Sequence, residues 1–137
     1  MQSPRYWQKK LHINQQIAVK PVPCNIAGMK IGQMMLVPTA KLIDDFIRLI
    51  PFGHQLDIPS LRHRLAQAYD AQVTCSITTG FHMRTVAEAA YEDYLSGTSL
   101  ESITPVWRVL SNNAPTSKKL SFYQDFIAPQ RKKECLF

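Results

Sequence analysis

The chain has 137 residues, 45% of them hydrophobic and 19% charged, and its formal net charge is +6. These values are typical of one globular domain. The sequence has no apolar run near the length of about 20 residues that a membrane helix needs, and no apolar secretory signal, so we expect no membrane association. The positive charge favours a polyanionic partner such as nucleic acid, and is equally compatible with a mildly basic protein that has no such partner.

The cysteine pattern disfavours a zinc site or a disulfide framework. Cys24, Cys75 and Cys135 are odd in number and widely spaced, and none belongs to a Cys-x-x-Cys pair. We therefore expect reduced thiols, no metal, no cofactor and a cytoplasmic location. We also expect a monomer.

Residues 1–38 are predicted to form an N-terminal arm that is poor in helix and contains one short strand. Three prolines favour extended backbone there: Pro21, Pro23 and Pro38. The strand is expected over residues 29–37, with Gly32 as a bulge. Large apolar side chains indicate that the arm docks on the rest of the chain: Trp7, Leu11 and Ile13.

Residues 39–137 are predicted to form a domain that begins with three helices. The first runs from Thr39, a suitable N-cap, to about Leu49. The second follows a cap at Asp57 and has Pro59 in its first turn. The third is expected to begin after Thr79-Gly80 and to end before Gly97, with its apolar side facing inward.

A β-hairpin is predicted after the third helix. Residues 103–110 precede Ser111-Asn112-Asn113-Ala114-Pro115, which is strong turn chemistry. Two strands around that turn would form a wing, and residues 121–137 would hold a last helix broken near Pro129. The predicted class is therefore α+β, a winged helix-turn-helix with an extended N-terminal arm.

Three motifs in this order resemble the DNA-binding C-terminal domain of the methylated-DNA–protein-cysteine methyltransferases and of the alkyltransferase-like proteins. They are Ile50-Pro51-Phe52-Gly53, Arg84-Thr85-Val86-Ala87-Glu88-Ala89-Ala90 and Pro105-Val106-Trp107-Arg108-Val109. The resemblance covers roughly residues 42–120. Thr74-Cys75-Ser76-Ile77-Thr78-Thr79-Gly80 is similar to a segment of a branch of that superfamily that carries a longer N-terminal arm.

The resemblance implies a scaffold that has lost its chemistry. In the repair enzymes the loop reads Pro-Cys-His-Arg-Val, and the Cys accepts the alkyl group with help from the His. Here Val106 and Trp107 occupy those positions, and neither side chain supplies a nucleophile or a general base. Pro105, Val106, Trp107 and Arg108 would then be the remnant of a pocket, and the protein would not be an enzyme. The tyrosine that rotates the phosphate in the family falls at Ile58.

The resemblance also points to DNA contacts. Arg84 matches the arginine that fills the gap left by a flipped nucleotide. Thr78, Thr79 and Gly80 could hold a phosphate on backbone amides at a helix N-terminus, or could simply begin a helix. The other residues that we assign to double-stranded DNA are His82, Lys118 and Lys119, the last two in the predicted wing.

Two other functions remain open at this stage. The fold could be a protein-interaction domain without DNA contact, because Glu88, Glu92 and Asp93 make the third helix acidic in its later half. Cys75 precedes a helix whose N-terminus could lower the pKa of a thiol, so a Cys75-dependent enzyme is a third hypothesis. A structural Cys75 is favoured over it, because free cysteines are mostly buried.

Overall fold

A computed structural model describes residues 5–137 as a mixed α and β fold, which confirms the predicted class at that level. Within those residues the α-helices are α1 (Tyr6–Leu11), α2 (Ala40–Ile47), α3 (Ile58–Ala68), α4 (Ser76–Leu95) and α5 (Ala128–Lys133). The strands are β1 (Ala18–Pro21), β2 (Met34–Val37) and β3 (Val73–Thr74). Short 3-10 turns cover Leu100–Ser102, Val106–Arg108 and Pro115–Lys119, and a π-helical turn, Tyr123–Ile127, leads into α5.

The three strands form one sheet that joins the arm to the domain. β1 pairs with β2 in antiparallel fashion, with Ala18 opposite Val37, and β2 pairs with β3 in parallel, with Leu36 opposite Thr74. The strand predicted over residues 29–37 begins only at Met34, because Gly32 adopts a φ of 88° and belongs to a tight turn before the strand. Gly32 is therefore not a bulge within a strand.

The first two helices of the domain begin where the sequence predicts. The Thr39 hydroxyl accepts the Leu42 N–H at 3.1 Å, and the Asp57 carboxylate accepts the Ser60 N–H at 2.7 Å. Each bond satisfies one of the N–H groups that a helix leaves free in its first turn. Both predicted caps are confirmed.

The third predicted helix, α4, begins earlier than the sequence indicates. Its N-cap is Cys75, whose sulfur accepts the backbone N–H of Thr78, and the Thr79 hydroxyl donates to the Cys75 carbonyl at 2.6 Å. Thr78, Thr79 and Gly80 consequently lie inside the first two turns of α4, and the prediction that they precede the helix is wrong. Gly80 has a low helix propensity, but the Cys75 cap and the burial of the apolar side of α4 stabilise the helix by more than this one residue destabilises it.

The predicted wing is wrong. Residues 103–120, all of them described, form 3-10 turns and irregular backbone without a strand. Residues 103–107, 109 and 110 are buried in succession, whereas a hairpin strand with one solvated face would alternate. The turn closes on itself through the Ser117 hydroxyl, which donates to the Ser111 carbonyl at 2.7 Å. Lys118 and Lys119 therefore lie on a 3-10 turn and not on a wing.

Among the described residues of the arm, helix is limited to the short α1, which the sequence did not predict and which packs on α4. The Glu92 carboxylate of α4 accepts the backbone N–H groups of Trp7 and Gln8 at 2.9 and 2.8 Å. The Gln8 side-chain amide donates to the Ala89 carbonyl at 2.7 Å, and Leu11 is buried. Six residues are too few for a stable isolated helix, so these tertiary contacts hold α1 in place. Leu11 is buried, as expected if the arm docks on the rest of the chain, whereas Ile13 is exposed.

Candidate nucleic-acid interface

The loop that carries the Pro-Val-Trp-Arg-Val motif lies inside the core. Val106 is 0% exposed and Trp107 is 3% exposed. The Trp107 ring meets Phe126 edge-on, with the ring centroids 5.8 Å apart. Residues at these two positions therefore pack against their neighbours and do not line an open pocket.

Glu134 ties this loop to the Ile-Pro-Phe-Gly motif. Its buried carboxylate accepts Trp107 Nε1–H at 2.5 Å, Arg108 Nε–H at 2.9 Å and the backbone N–H of Gly53 at 2.9 Å. Arg108 also donates through Nη1 to the Ile50 carbonyl at 2.7 Å. The two motifs meet in one hydrogen-bonded network, in which Arg108 donates through Nε and Nη2 to Glu134 and through Nη1 to Ile50.

The Glu134 carboxylate of this network is paired with Arg108. Burial acts to raise the pKa of the Glu134 carboxyl, but hydrogen bonds from Arg108, Gly53 and Trp107 outweigh that effect and hold the pKa below its ordinary value of 4.5. A second arginine, Arg131, is buried and donates to the Trp107 carbonyl at 2.7 Å. The arrangement fixes the loop and offers no free nucleophile or base.

The exposed side of α4 is elsewhere, in its first half. Ile77, Phe81, Arg84 and Glu88 follow one another at intervals of four and three residues, so they form a stripe along one side of the helix. Phe81 is 69% exposed and Ile77 is 45% exposed. We call Ile77, Phe81 and Arg84 the α4 stripe. A large aromatic ring beside a cation, both open to solvent, is a surface that can contact a partner.

Arg84 is held loosely in this stripe. Its Nε lies 3.4 Å from a Glu88 oxygen, and its guanidinium carbon lies 5.4 Å from the centre of the Trp7 ring. An exposed ion pair contributes about 0–1 kcal/mol and an exposed cation–π contact about 0.5–1 kcal/mol. A ligand with comparable contacts can therefore draw Arg84 away.

His82 lies on α4 beside the stripe, and its side chain is half-buried. Burial lowers the pKa of its imidazole, the Pro38 carbonyl acts in the opposite direction, and the charge of Lys10 lowers the pKa further. The lowered pKa disfavours the cationic form that would attract an anion, and the imidazole is already hydrogen-bonded to the Pro38 backbone.

The remaining residues assigned to DNA are spread out. Thr78 donates to the Cys75 sulfur from its hydroxyl at 2.8 Å and from its N–H at 3.4 Å, and Thr79 is buried, so both serve the start of α4. Gly80 is exposed beside the stripe, and a Cβ placed on it would meet no atom within 4 Å. Lys118 and Lys119 are exposed on a 3-10 turn that packs against α4.

Cys75 has a structural place in this geometry. Its side chain caps α4 and packs in a small apolar cluster with Val22, Met29 and Met35. Cys24 and Cys135 are exposed. A buried thiol that already serves as a cap is a poor candidate for a nucleophile.

Iodoacetamide is therefore expected to alkylate Cys24 and Cys135 quickly at neutral pH, and to reach Cys75 only when the chain unfolds. Peptide mass spectrometry at several times of reaction measures this order, and a sample in denaturant, where all three should react alike, is the control. Fast labelling of Cys75 in the folded protein would contradict the structural role.

Sequence reasoning missed three residues with a defined structural place: Phe81 in the α4 stripe, Glu92 beside α1 and Glu134 in the buried network. Glu134 follows the basic run Arg131-Lys132-Lys133, and the single acid there was the only signal. Phe81 lies off the apolar side that Met83, Val86, Ala87 and Ala90 define, so its exposure could have been read from the helical period. Glu92 looked like a surface charge and in fact caps α1.

Comparisons with protein-family models, with curated proteins and with solved structures give no match to this chain. In residues 5–137, no three His, Cys, Asp or Glu side chains are grouped so that they could hold a metal ion. No helix in the same range combines the length and the apolar character that crossing a bilayer requires.

Proposed function

We propose that this protein is a non-catalytic binding module for double-stranded DNA, of the alkyltransferase-like type, and that the α4 stripe is its contact surface. The observation that carries the proposal is the exposed first half of α4, where Arg84 and Phe81 stand side by side. In this reading α3, β3 and α4 form the helix-turn-helix part of the scaffold. Arg84 takes the position of the arginine that enters the duplex in the family that the sequence resembles.

The charges of the chain are compatible with DNA binding at the α4 stripe. The chain carries a formal net charge of +6. The acidic later half of α4, which argued against DNA, is partly committed to the fold, because Glu92 caps α1 and the Glu88 carboxylate lies 3.4 Å from Arg84. The repulsion that these carboxylates would exert on phosphates is therefore reduced where they are already paired.

The proposal includes the absence of alkyl transfer. Val106 and Trp107 stand at the positions of the nucleophile and the base, and both are buried. In this role the protein would recognise damaged DNA for repair or regulation, without changing the DNA. Neither a metal nor a cofactor is needed for such a role.

Duplex DNA is expected to bind at low salt and to be released steeply as salt is added. Each phosphate that the protein neutralises contributes about 0.9 to the slope of log K against log salt concentration. Fluorescence anisotropy of a labelled duplex, titrated at four or five salt concentrations, measures both the affinity and the slope. A flat anisotropy signal at the lowest salt would remove the proposal.

A second candidate function is a protein-interaction domain on the same scaffold. The specific observation in its favour is the apolar part of the stripe, Ile77 and Phe81, which protein interfaces use as readily as nucleic-acid interfaces do. Binding to a protein partner would depend weakly on salt, whereas binding to DNA depends on it strongly. Duplex binding with a steep salt dependence therefore favours the first candidate, and the absence of duplex binding at low salt leaves the second.

A further inference from the structure

The connection between β1 and β2 folds back against the start of α4. Val22, directly after β1, and Met29, at the tip turn, pack with Met35 and with the capping residue Cys75. The Ser76 hydroxyl, at the first position of α4, lies 3.4 Å from the Ala27 carbonyl and donates to it. The tip of this hairpin is thus placed beside the N-terminus of α4.

The tip itself is a tight turn. Ile26 and Met29 form an isolated antiparallel bridge, and the two residues between them, Ala27 and Gly28, have φ angles of 50° and 80°. Two consecutive positive φ angles are typical of the two-residue turns that close β-hairpins. A Cβ placed on Gly28 would meet no atom within 4 Å, so the backbone of the tip is open to an approaching ligand.

A cleft of about 290 Å³ separates this tip from α3. Ala27 and Gly28 line one side of it, Arg62 and His63 of α3 line another, and Thr74 lies on its wall. The lining of the cleft includes one guanidinium group and one imidazole, and none of its residues within the described part of the chain carries a carboxylate. Among residues 5–137, Arg62 and His63 also lie outside every ion pair that the structure shows.

An oxyanion is the ligand that this chemistry fits. A guanidinium group presents paired donors that match phosphate oxygens, and an imidazole adds a further donor. The Thr74 hydroxyl is already used, because it donates to the Arg62 carbonyl at 2.7 Å, and this bond fixes the end of β3 against α3. The cation that remains free for a ligand is therefore the Arg62 side chain, with His63 next to it.

The cleft adjoins the α4 stripe through the chain itself. Thr74, on the wall of the cleft, is followed by Cys75 and then by Ser76, the first residue of α4, and Ile77 begins the stripe. For one duplex to meet both the cleft and the α4 stripe, its backbone would have to run past the N-terminal end of α4. We propose that the cleft between the β1–β2 tip and α3 binds a phosphate of the DNA backbone, with Arg62 as its main contact. The N-terminal hairpin would then contact the DNA backbone as a wing does in other helix-turn-helix domains. This inference rests on the proposed function.

The test compares Arg62→Ala with Arg64→Ala in the salt titration of duplex binding. Arg64 is two residues away on the same helix but lines different cavities, beside Leu56 and Gln55, so it is a matched control. Arg62→Ala is expected to lower the slope of log K against log salt by about 0.9, the loss of one phosphate contact, and Arg64→Ala is expected to keep the wild-type slope. Neither change removes the Arg62 carbonyl that accepts from Thr74, and equal circular-dichroism melting curves verify that both variants fold.

The outcomes separate the two proposals. If the wild type binds DNA and Arg84→Ala weakens binding, but Arg62→Ala keeps the wild-type slope, the cleft proposal is overturned and the proposed function stands. If the wild type does not bind DNA, both fall. A parallel titration with inorganic phosphate, followed by NMR shifts of the Arg62 side chain, identifies the source of the anion: binding of free phosphate without binding of DNA would overturn the assignment to a DNA backbone.

Discussion

Replacement of Glu134 by alanine is expected to lower the free energy of unfolding by about 3–5 kcal/mol, because it leaves a largely buried cation without its partner. Arg108 loses its carboxylate, while the Trp107 Nε1–H and the Gly53 N–H lose their acceptor. Urea unfolding followed by circular dichroism measures the change. Glu101→Ala is the control: Glu101 is exposed, and such a surface change stays within about 0.5 kcal/mol. Equal small losses for both variants would show that the network does not hold the fold together.

The same carboxylate gives a pH dependence with a definite sign. The pKa of Glu134 is below 4.5 in the folded protein, so the unfolded chain binds the proton more readily. Its contribution to stability is complete above that ordinary value and disappears as the pH falls through the lowered folded pKa. The wild type should accordingly lose more stability on acidification below about pH 4.5 than Glu134→Gln does.

Replacement of Asp44 by alanine is the second change with a large expected effect. Asp44 is 2% exposed, and its carboxylate accepts the Thr104 hydroxyl at 2.5 Å and Arg48 Nε–H at 3.1 Å. A hydrogen bond to a charged group contributes about 1.5–3 kcal/mol, so a loss of at least that size is expected. Chemical denaturation measures it.

Two further variants show whether the Asp44–Thr104 bond is responsible. Thr104→Val should be costly in the wild type and nearly neutral in the Asp44→Ala background, so in a double-mutant cycle the double variant should lose less stability than the sum of the two single variants. Asp45→Ala removes the neighbouring carboxylate, which is exposed and pairs with exposed Lys41, and should cost at most about 1 kcal/mol. Additive effects of the first two changes would contradict the role of this bond.

These predictions give the Pro-Val-Trp-Arg-Val loop a structural role: it stabilises the fold. Thr104 is bonded to α2 at one end of the loop, and Trp107 and Arg108 are bonded to Glu134 at the other. The motif that most resembles an active site is therefore a point where distant segments of the chain are joined. We place function on the α4 stripe and the adjoining cleft.

Local rules predicted those parts of the fold that local contacts determine. Thr39 and Asp57 cap their helices through residues three positions ahead, and both were found from sequence. The cap at Cys75 was missed, because a thiol is not among the side chains that favour this position. The start of α4 was consequently placed too late.

Contacts between distant residues account for the other errors. Asn112-Asn113 correctly indicates a turn, but a hairpin also needs two strands with a solvated face, and residues 103–110 are nearly all buried. The helix α1 depends on Glu92, more than 80 residues away, and could not be predicted from its own six residues. Arg84 could be singled out from sequence, whereas its contact with Trp7 and the cleft at Arg62 required the fold.

The most direct test of DNA binding by the α4 stripe is a parallel anisotropy titration of an intact duplex and an O6-alkylguanine duplex. Wild type, Arg84→Ala and Lys41→Ala are compared at low salt, where Lys41 is a control cation already paired with Asp45. We predict that wild type and Lys41→Ala bind equally, that Arg84→Ala binds about tenfold more weakly, a difference of about 1.4 kcal/mol, and that the alkyl group stays on the DNA. Absence of binding by the wild type, or equal binding by Arg84→Ala, would contradict the assignment of this surface to DNA.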